Sequence, residues 1–348
     1  MKMVTLGHGA GGSIMQDLIK EYIVKYLGGS NAEVPLEALD DAAVIDGIVL
    51  KSDSSTVKPL FFPGGDIGRL AVSGTVNDIS VMGAEPLALA SGFILEEGLP
   101  LEEFERIVKS MGETCREAGV NIITGDTKVM EKGSLERCVI NTSGVGKRSP
   151  QLDGNFAEVK KYRKFDAEWL LDSNVAEGDK IIVSGTMGDH GISILSFREG
   201  YGFESQVTSD VKPLNKLISQ LLKVGGVVKI KDPTRGGLSN TLNEWNEKSR
   251  IGILIREEMI PIKEGVRAAC EMLGIDPLEV GNEGKIVIAV VKEKAEETLT
   301  TLRQTTEGKD AQIIGEATRE FDRVVLETSI GGHRVVMPPA GDPVPRIC

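Results

Sequence analysis

Acidic residues recur at the ends of predicted elements, most of them close to glycine, asparagine or threonine. They are Asp40-Asp41-Ala42-Ala43, Ser52-Asp53-Ser54, Asn77-Asp78, Gly125-Asp126-Thr127-Lys128 and Lys231-Asp232-Pro233-Thr234-Arg235-Gly236-Gly237. A magnesium ion bridged to nucleotide phosphates needs hard oxygen ligands from a few carboxylates. The polyphosphate itself needs cations and backbone N–H groups, which Lys128, Arg235 and the Gly-Gly pairs could supply. Taken singly, an aspartate at such a place is as often a turn or helix cap. The residues alone therefore leave two readings open, a nucleotide site and a set of ordinary caps.

Other residues invite chemistry of a different kind. Asn282-Glu283-Gly284-Lys285 precedes an apolar run, and it reads either as a polar turn or as a carboxylate placed for general base work. His8, His190 and His333 have no zinc-motif spacing. Hydrogen-bonding or structural roles suit His190 and His333, while His8, in the loop Gly-His-Gly-Ala-Gly-Gly, could touch a substrate. Cys115 and Cys138 lie in apolar patterns and read as core residues. Cys348 differs, because it is the last residue and follows a stretch with four of the 14 prolines. Such a stretch continues neither a helix nor a central strand. It predicts an extended, mobile tail that could carry its thiol to a site on its own subunit, a neighbour or a partner. An exposed thiol oxidises readily, and a swinging arm with a covalent cargo would explain its presence.

These residues sit in a chain of 348 with 40 Lys+Arg and 52 Asp+Glu, a formal net charge of −12. That balance argues against sequence-independent binding to nucleic acid or to acidic membranes. No apolar run reaches the ~18 residues of a membrane span, and the start of the chain has no signal-peptide pattern. A soluble, cytoplasmic enzyme is the expectation. The 41 glycines are many for this length and imply tight turns or close backbone approaches.

The elements that must position the acidic residues read as α+β. A helix follows Ser13, and Asp46-Gly47 makes a hairpin turn. Asp66 caps a helix that carries Asn77 and Asp78 late in its course and ends near Gly83. Strands at 87–95, 120–124 and 135–145 and a helix at 100–118 complete the first unit. Neither GxGxxG after a first strand nor GxxxxGK[ST] occurs. Residues 1–149 form the first domain and 176–337 the second, with 338–348 as the tail. Residues 150–175, rich in Lys, Arg, Asp and Glu, read as a solvated linker or short helical insertion, and deleting 155–168 is expected to leave turnover intact.

The motifs HGAGG (8–12), LDDAAV (39–44), FFPGGDIGRLAVSGTVNDISVMGAEPLAL (61–89), TGDTKV (124–129), VSGTMGDHGISIL (183–195), KDPTRGGLSN (231–240), NEGK (282–285) and GDPVPRIC (341–348) carry a resemblance. The chain resembles the HypE family of hydrogenase maturation proteins, the carbamoyl dehydratases. These belong to the PurM-like ATP-binding superfamily of aminoimidazole-ribotide synthetase and selenophosphate synthetase. The resemblance implies a two-domain fold, with an N-terminal sheet pairing across a homodimer and a C-terminal α/β sandwich. It implies that a carbamoyltransferase, HypF, loads the thiol of Cys348. ATP then converts the S-carbamoyl group to S-cyano, and a HypC–HypD complex accepts the cyanide for a nickel-iron hydrogenase. Carried over by position, Asp53, Asp78 and Asp232 would hold Mg²⁺, while Asp41, Asn77, Asp126, Thr127 and Lys128 would contact the nucleotide. Cys348, Glu283 and Lys128 would be catalytic. Selenophosphate synthetase, a superfamily alternative, should carry a thiol or selenol in the first glycine loop, and none is there. A non-catalytic adaptor would not need the clustered carboxylates.

Overall fold

The computed structural model describes residues 3–199, 207–339, 341, 343–344 and 346–348. The chain enters through α1 (Gly12–Leu18), which continues as a π-helical turn over Ile19–Val24 into α2 (Lys25–Leu27). It then forms the hairpin β1 (Ala43–Ile45) and β2 (Ile48–Ser55). Asp46 and Gly47 turn this hairpin with φ of 50° and 72°, the positive values that a tight two-residue turn demands. A short pair, β3 (Phe61–Phe62) and β4 (Gly65–Asp66), leads into α3 (Ile67–Val81). The Asp66 carboxylate accepts from the N–H groups of Gly68 and Arg69, so it is the expected N-cap. β5 (Ala84–Glu96), α4 (Leu101–Ala118), β6 (Ile122–Met130) and β7 (Cys138–Arg148) follow.

The first sheet has the order β1-β2-β7-β5-β6. α3 is buried along nearly its whole length against this sheet and α4. The other face keeps apolar groups exposed, Ile45, Ile48 and Leu50 of the first hairpin, and the edge strand β6 exposes Ile123 and Val129. All nine residues of β6 are exposed.

Residues 150–175 are not the solvated linker that their charge suggested. They form α5 (Pro150–Val159), capped by Ser149, and an irregular return. Leu152, Phe156, Val159, Phe165, Trp169 and Leu170 are buried in a core that also holds Val44, Val49 and Ile79 from the first unit and Ile181, Leu217 and Ile288 from the second. The charged residues misled because they alternate with these anchors and occupy the outer side. Arg163, for example, lies over the Phe165 ring and also pairs with buried Asp179 at 2.6 Å. The segment is a packed joint.

The second unit comprises β8 (Lys180–Val183), α6 (Asp189–Glu199), α7 (Asn215–Val224), β9 (Val227–Lys231), α8 (Gly237–Ser249), β10 (Gly252–Arg256), α9 (Glu264–Leu273) and β11 (Val287–Val290). It ends with α10 (Ala295–Arg303), β12 (Gln312–Thr318), β13 (Val324–Glu327) and β14 (His333–Val335). Its sheet has the order β14-β13-β10-β12-β8-β11-β9. β9 and β11 are buried at every position, as strands covered on both faces must be. The described end of the tail lies against the protein. Val344 and Ile347 are buried, and Cys348 is half-buried.

Candidate active site

β2 alternates, so Lys51 and Asp53 share one face, and α3 brings Asp78 against it. The loop just before β1 supplies Asp41, and the residue that follows β9 is Asp232. Carboxylate oxygens of Asp41, Asp78 and Asp232 lie within 4.8 Å of one another. They line a cavity of about 380 Å³ together with Asp53, Arg235, Glu283 and Cys348. The far end of that cavity is walled by Met15 and Ile19 of the N-terminal helix, Leu39, and α8. One end is thus acidic and the other partly apolar.

The acidic end is short of cations. Lys51 pairs with Asp78 at 2.9 Å. Burial still lifts the Asp78 carboxyl to about 6 against that pull, with Asp53 and Asp41 adding to the rise. Burial, then Asp78 and Asp41, push Asp232 well above the usual carboxylate range. Glu283 is raised by burial and by Asp232, Asp53 and Asp210. Its Oε1 has no hydrogen-bond partner among the described residues. Gly74 leaves space here, because a Cβ at that position would stand 3.1 Å from Asp53 Oδ2. Three crowded hard oxygens, an orphaned carboxylate oxygen and a gap beside Asp53 fit a divalent cation with a phosphate chain. Asp41, Asp78 and Asp232 would hold that cation.

Asp41 also faces a second cluster. Lys229 lies 2.7 Å from Asp41, 3.1 Å from Asp172 and 3.6 Å from Asp40. Lys231 contacts Asp41, Asp172 and Glu244 at 3.2, 3.1 and 2.7 Å. Lys248 reaches Asp172 at 2.7 Å. Burial raises the Asp41 and Asp172 carboxyls, but the lysines more than reverse this, and both end below the usual range.

The fold brings together Asp41, Asp53, Asp78, Asp232, Glu283 and Cys348. It does not bring Asn77, Asp126, Thr127 or Lys128 to this cavity within one chain. Asn77 is buried, and its amide is engaged with backbone: Oδ1 accepts from Leu214 N–H at 2.7 Å, and Nδ2 donates to the Lys212 carbonyl at 3.2 Å. It straps α3 to the second unit. Asp126, Thr127 and Lys128 lie on exposed β6, where Asp126 and Lys128 pair at 2.8 Å. His8 accepts locally from the Thr5 N–H.

Sequence reading missed Lys51, Lys229, Lys231, Lys248 and Asp172 as parts of the electrostatic frame. The signal was present: lysines at alternate positions of the apolar strand Val227-Val228-Lys229-Ile230-Lys231 must find buried counter-charges. Nothing in the sequence said that Asp172, in the apparent linker, supplies one.

Comparison with known proteins agrees with this arrangement. The AIR synthase related protein families match residues 39–147 with their N-terminal domain and residues 176–326 with their C-terminal domain. A hydrogenase expression/formation protein of Methanocaldococcus jannaschii is 51% identical over 99% of both chains. Carbamoyl dehydratase HypE of Azotobacter vinelandii is 44% identical over 99% of this chain and 97% of its own. The chain belongs to the HypE family. Two solved HypE structures superpose on it closely. HypE in a HypE–HypF complex has a TM-score of 0.83 at 45% identity, covering 92% of this chain and 99% of that one. HypE in complex with ATP has a TM-score of 0.79 at 41% identity, covering 99% and 100%. The mixed α/β two-domain fold expected of this family is the fold observed.

Proposed function

We propose that this HypE-family chain dehydrates a carbamoyl group on the Cys348 thiol to an S-cyano group, using ATP and releasing ADP and phosphate. One observation carries the reading: the terminal cysteine lines the same cavity as Asp41, Asp53, Asp78, Asp232 and Glu283. An amide oxygen is a poor leaving group and phosphate a good one. Transfer of the terminal phosphoryl group to the carbamoyl oxygen therefore opens the route. The C–O bond then breaks with phosphate, both N–H protons depart, and a C≡N bond remains on sulfur.

The residues divide the work by charge and reach. Arg235, adjoining the negative charge at Cys348, steadies the developing charge on the transferred group. Glu283, with its raised pKa, is suited to take a proton from the carbamoyl nitrogen. Asp41, Asp78 and Asp232 would hold Mg²⁺, with Asp53 lining the same cavity, and the ion when bound neutralises phosphate charge. The apolar end by Met15, Ile19 and Leu39 would take the nucleoside.

Partners follow from surfaces and from relatives. The exposed apolar face of the first sheet suits pairing with a second copy. In a homodimer, Asp126, Thr127 and Lys128 of one protomer would reach the nucleotide of the other. HypF, crystallised with a HypE, is the reading for the carbamoyl donor enzyme, and HypC–HypD for the cyanide acceptor. Among the described residues no helix is long and apolar enough to cross a membrane.

The test is the intact mass of the protein after carbamoylation and addition of MgATP. The carbamoyl adduct should shrink by the mass of one water, and only with Cys348 present. An adduct that keeps its mass while ADP accumulates would refute the reading.

A further inference from the structure

Glu283 Oε1 has no hydrogen-bond partner among the described residues, so the aim of this carboxylate depends on the backbone that carries it. That backbone is gripped by one acid outside the cavity. The Glu283 N–H donates to Asp210 Oδ1 at 3.0 Å. Asn282 Nδ2 donates to Asp210 Oδ2 at 2.9 Å, while Asn282 Oδ1 accepts from the Gly188 N–H at 2.9 Å. Lys285 Nζ stands 3.7 Å from the same Asp210 Oδ2. Gly284 passes so close that a Cβ there would stand 1.7 Å from the Asp210 carbonyl oxygen. The Glu283 carbonyl accepts from the Lys212 N–H at 3.4 Å, and the Asn282 N–H donates to the carbonyl of Pro233, the neighbour of Asp232, at 2.9 Å.

Asp210 does not itself line the cavity, and its side chain is only 4% exposed. Burial raises its carboxyl, but Lys285, His190 and the hydrogen bonds from Glu283 and Asn282 more than reverse this. It stays ionised and acts as acceptor alone.

The segment that carries Asp210 is tied in turn to the first unit. The Ser209 N–H donates to the Pro63 carbonyl at 2.8 Å. Arg69 Nε donates to the Val211 carbonyl at 2.8 Å. Asn77 grips the Lys212 carbonyl and the Leu214 N–H. Arg69 and Asn77 belong to α3, the helix that presents Asp78. One short stretch of chain therefore references both Asp78 and Glu283.

We propose that Asp210 is a positioning residue for the dehydration, fixing through the main chain where the Glu283 carboxylate stands relative to the cation socket. The inference deepens the reading above and rests on Glu283 as the proton acceptor. Misplacing a reacting group by about 1 Å can cost about 100-fold in rate, so a carboxylate with a free side chain gains most from a fixed backbone.

The experiment uses full-length protein carbamoylated at Cys348, and follows the loss of one water by intact mass in single turnovers over a MgATP series. Asp210→Asn puts a donor where Glu283 or Asn282 needs an acceptor. It should lower the maximal rate at least about 30-fold and leave the half-saturating MgATP within about 3-fold. In a Glu283→Gln background the same change should alter the residual rate by less than about 3-fold, because residues that act as a unit are not additive. Asp210→Asn combined with Asn282→Asp restores the amide–carboxylate pair in the opposite sense and should recover at least about 10-fold of the loss. A separate arm needs no turnover: deuterium exchange of the 281–286 amides should speed at least about 10-fold in Asp210→Asn. Parental exchange there would overturn the proposal whether or not the cyano group forms. So would a parental maximal rate in Asp210→Asn, equal slowing in both backgrounds, or a paired variant as slow as the single one. Slow Glu283→Gln beside a fast Asp210→Asn would remove this inference alone, whereas Glu283→Gln at the parental rate would remove Glu283 as proton acceptor and the inference with it.

Discussion

Two clusters of buried charge meet at Asp41 and differ in one respect, their supply of cations. On one side Lys229, Lys231 and Lys248 face Asp40, Asp41, Asp172 and Glu244, and the carboxyls of Asp41 and Asp172 sit below the ordinary range. On the other side Asp53, Asp78, Asp232 and Glu283 face chiefly Lys51 and Arg235, and Asp78, Asp232 and Glu283 sit above it. The same residue types thus make a self-balanced frame and an unbalanced socket. Buried charges are tolerable when paired and costly when not. The first cluster holds the two units together as it stands, and the second is completed by an added cation. Asp41 belongs to both, so the frame fixes the position of one ligand of the socket.

The difference can be broken most forcefully in the frame. Lys229→Met should leave Asp41 and Asp172 without their most buried partner and lower stability by about 3–5 kcal/mol in urea denaturation. A variant as stable as the parent would deny the cluster its structural role. In the socket the expectation reverses. Asp78→Asn should slow MgATP-dependent dehydration at least about 100-fold, yet leave the cation-free melting temperature unchanged or raised, because it removes one of several crowded acids. A large loss of stability without cation would erase the distinction between the clusters.

A pH series sharpens the same contrast. The Asp78 carboxyl titrates near 6 in the folded chain, above its ordinary 3.8. Its contribution to stability is therefore intact at acid pH and is lost as pH rises through about 6. Added Mg²⁺ binds the ionised form, so its stabilising shift in thermal melts should be small near pH 5 and grow through pH 6 to 7.5. A shift that is flat across that window would show that Asp78 is no part of the cation site. The smallest effect is expected on β6. Asp126→Ala and Lys128→Ala remove an exposed pair and should change stability by less than about 0.5 kcal/mol. Any loss of turnover in them would then report contact with a second copy.

Much of this was legible in the residues. Asp66 as N-cap, the Asp46-Gly47 hairpin and the order of strands and helices follow from local turn chemistry and apolar periodicity. Asp41, Asp53, Asp78 and Asp232 stood out in the sequence as acidic residues near turns, but their common role was an expectation from the family resemblance, because local pattern alone reads each equally well as a cap. Asp172 did not stand out, since its role depends on lysines 57 and more residues away in sequence. Asn77 misled for the converse reason. It neighbours Asp78 in sequence, but one step along a helix turns its amide toward the 212–214 backbone instead. The tail's proline content predicted an extended, mobile arm and said nothing of the contacts that its last residues make at Thr56 and His190.

The most direct measurement follows the oxygen. Protein carbamoylated at Cys348 with a heavy-oxygen carbonyl should, on adding MgATP, yield labelled inorganic phosphate, one labelled molecule for each S-cyano group formed. Unlabelled phosphate alongside cyano-group formation would mean that the carbamoyl oxygen never receives the phosphoryl group, and the carboxylate socket beside Cys348 would need a different chemistry.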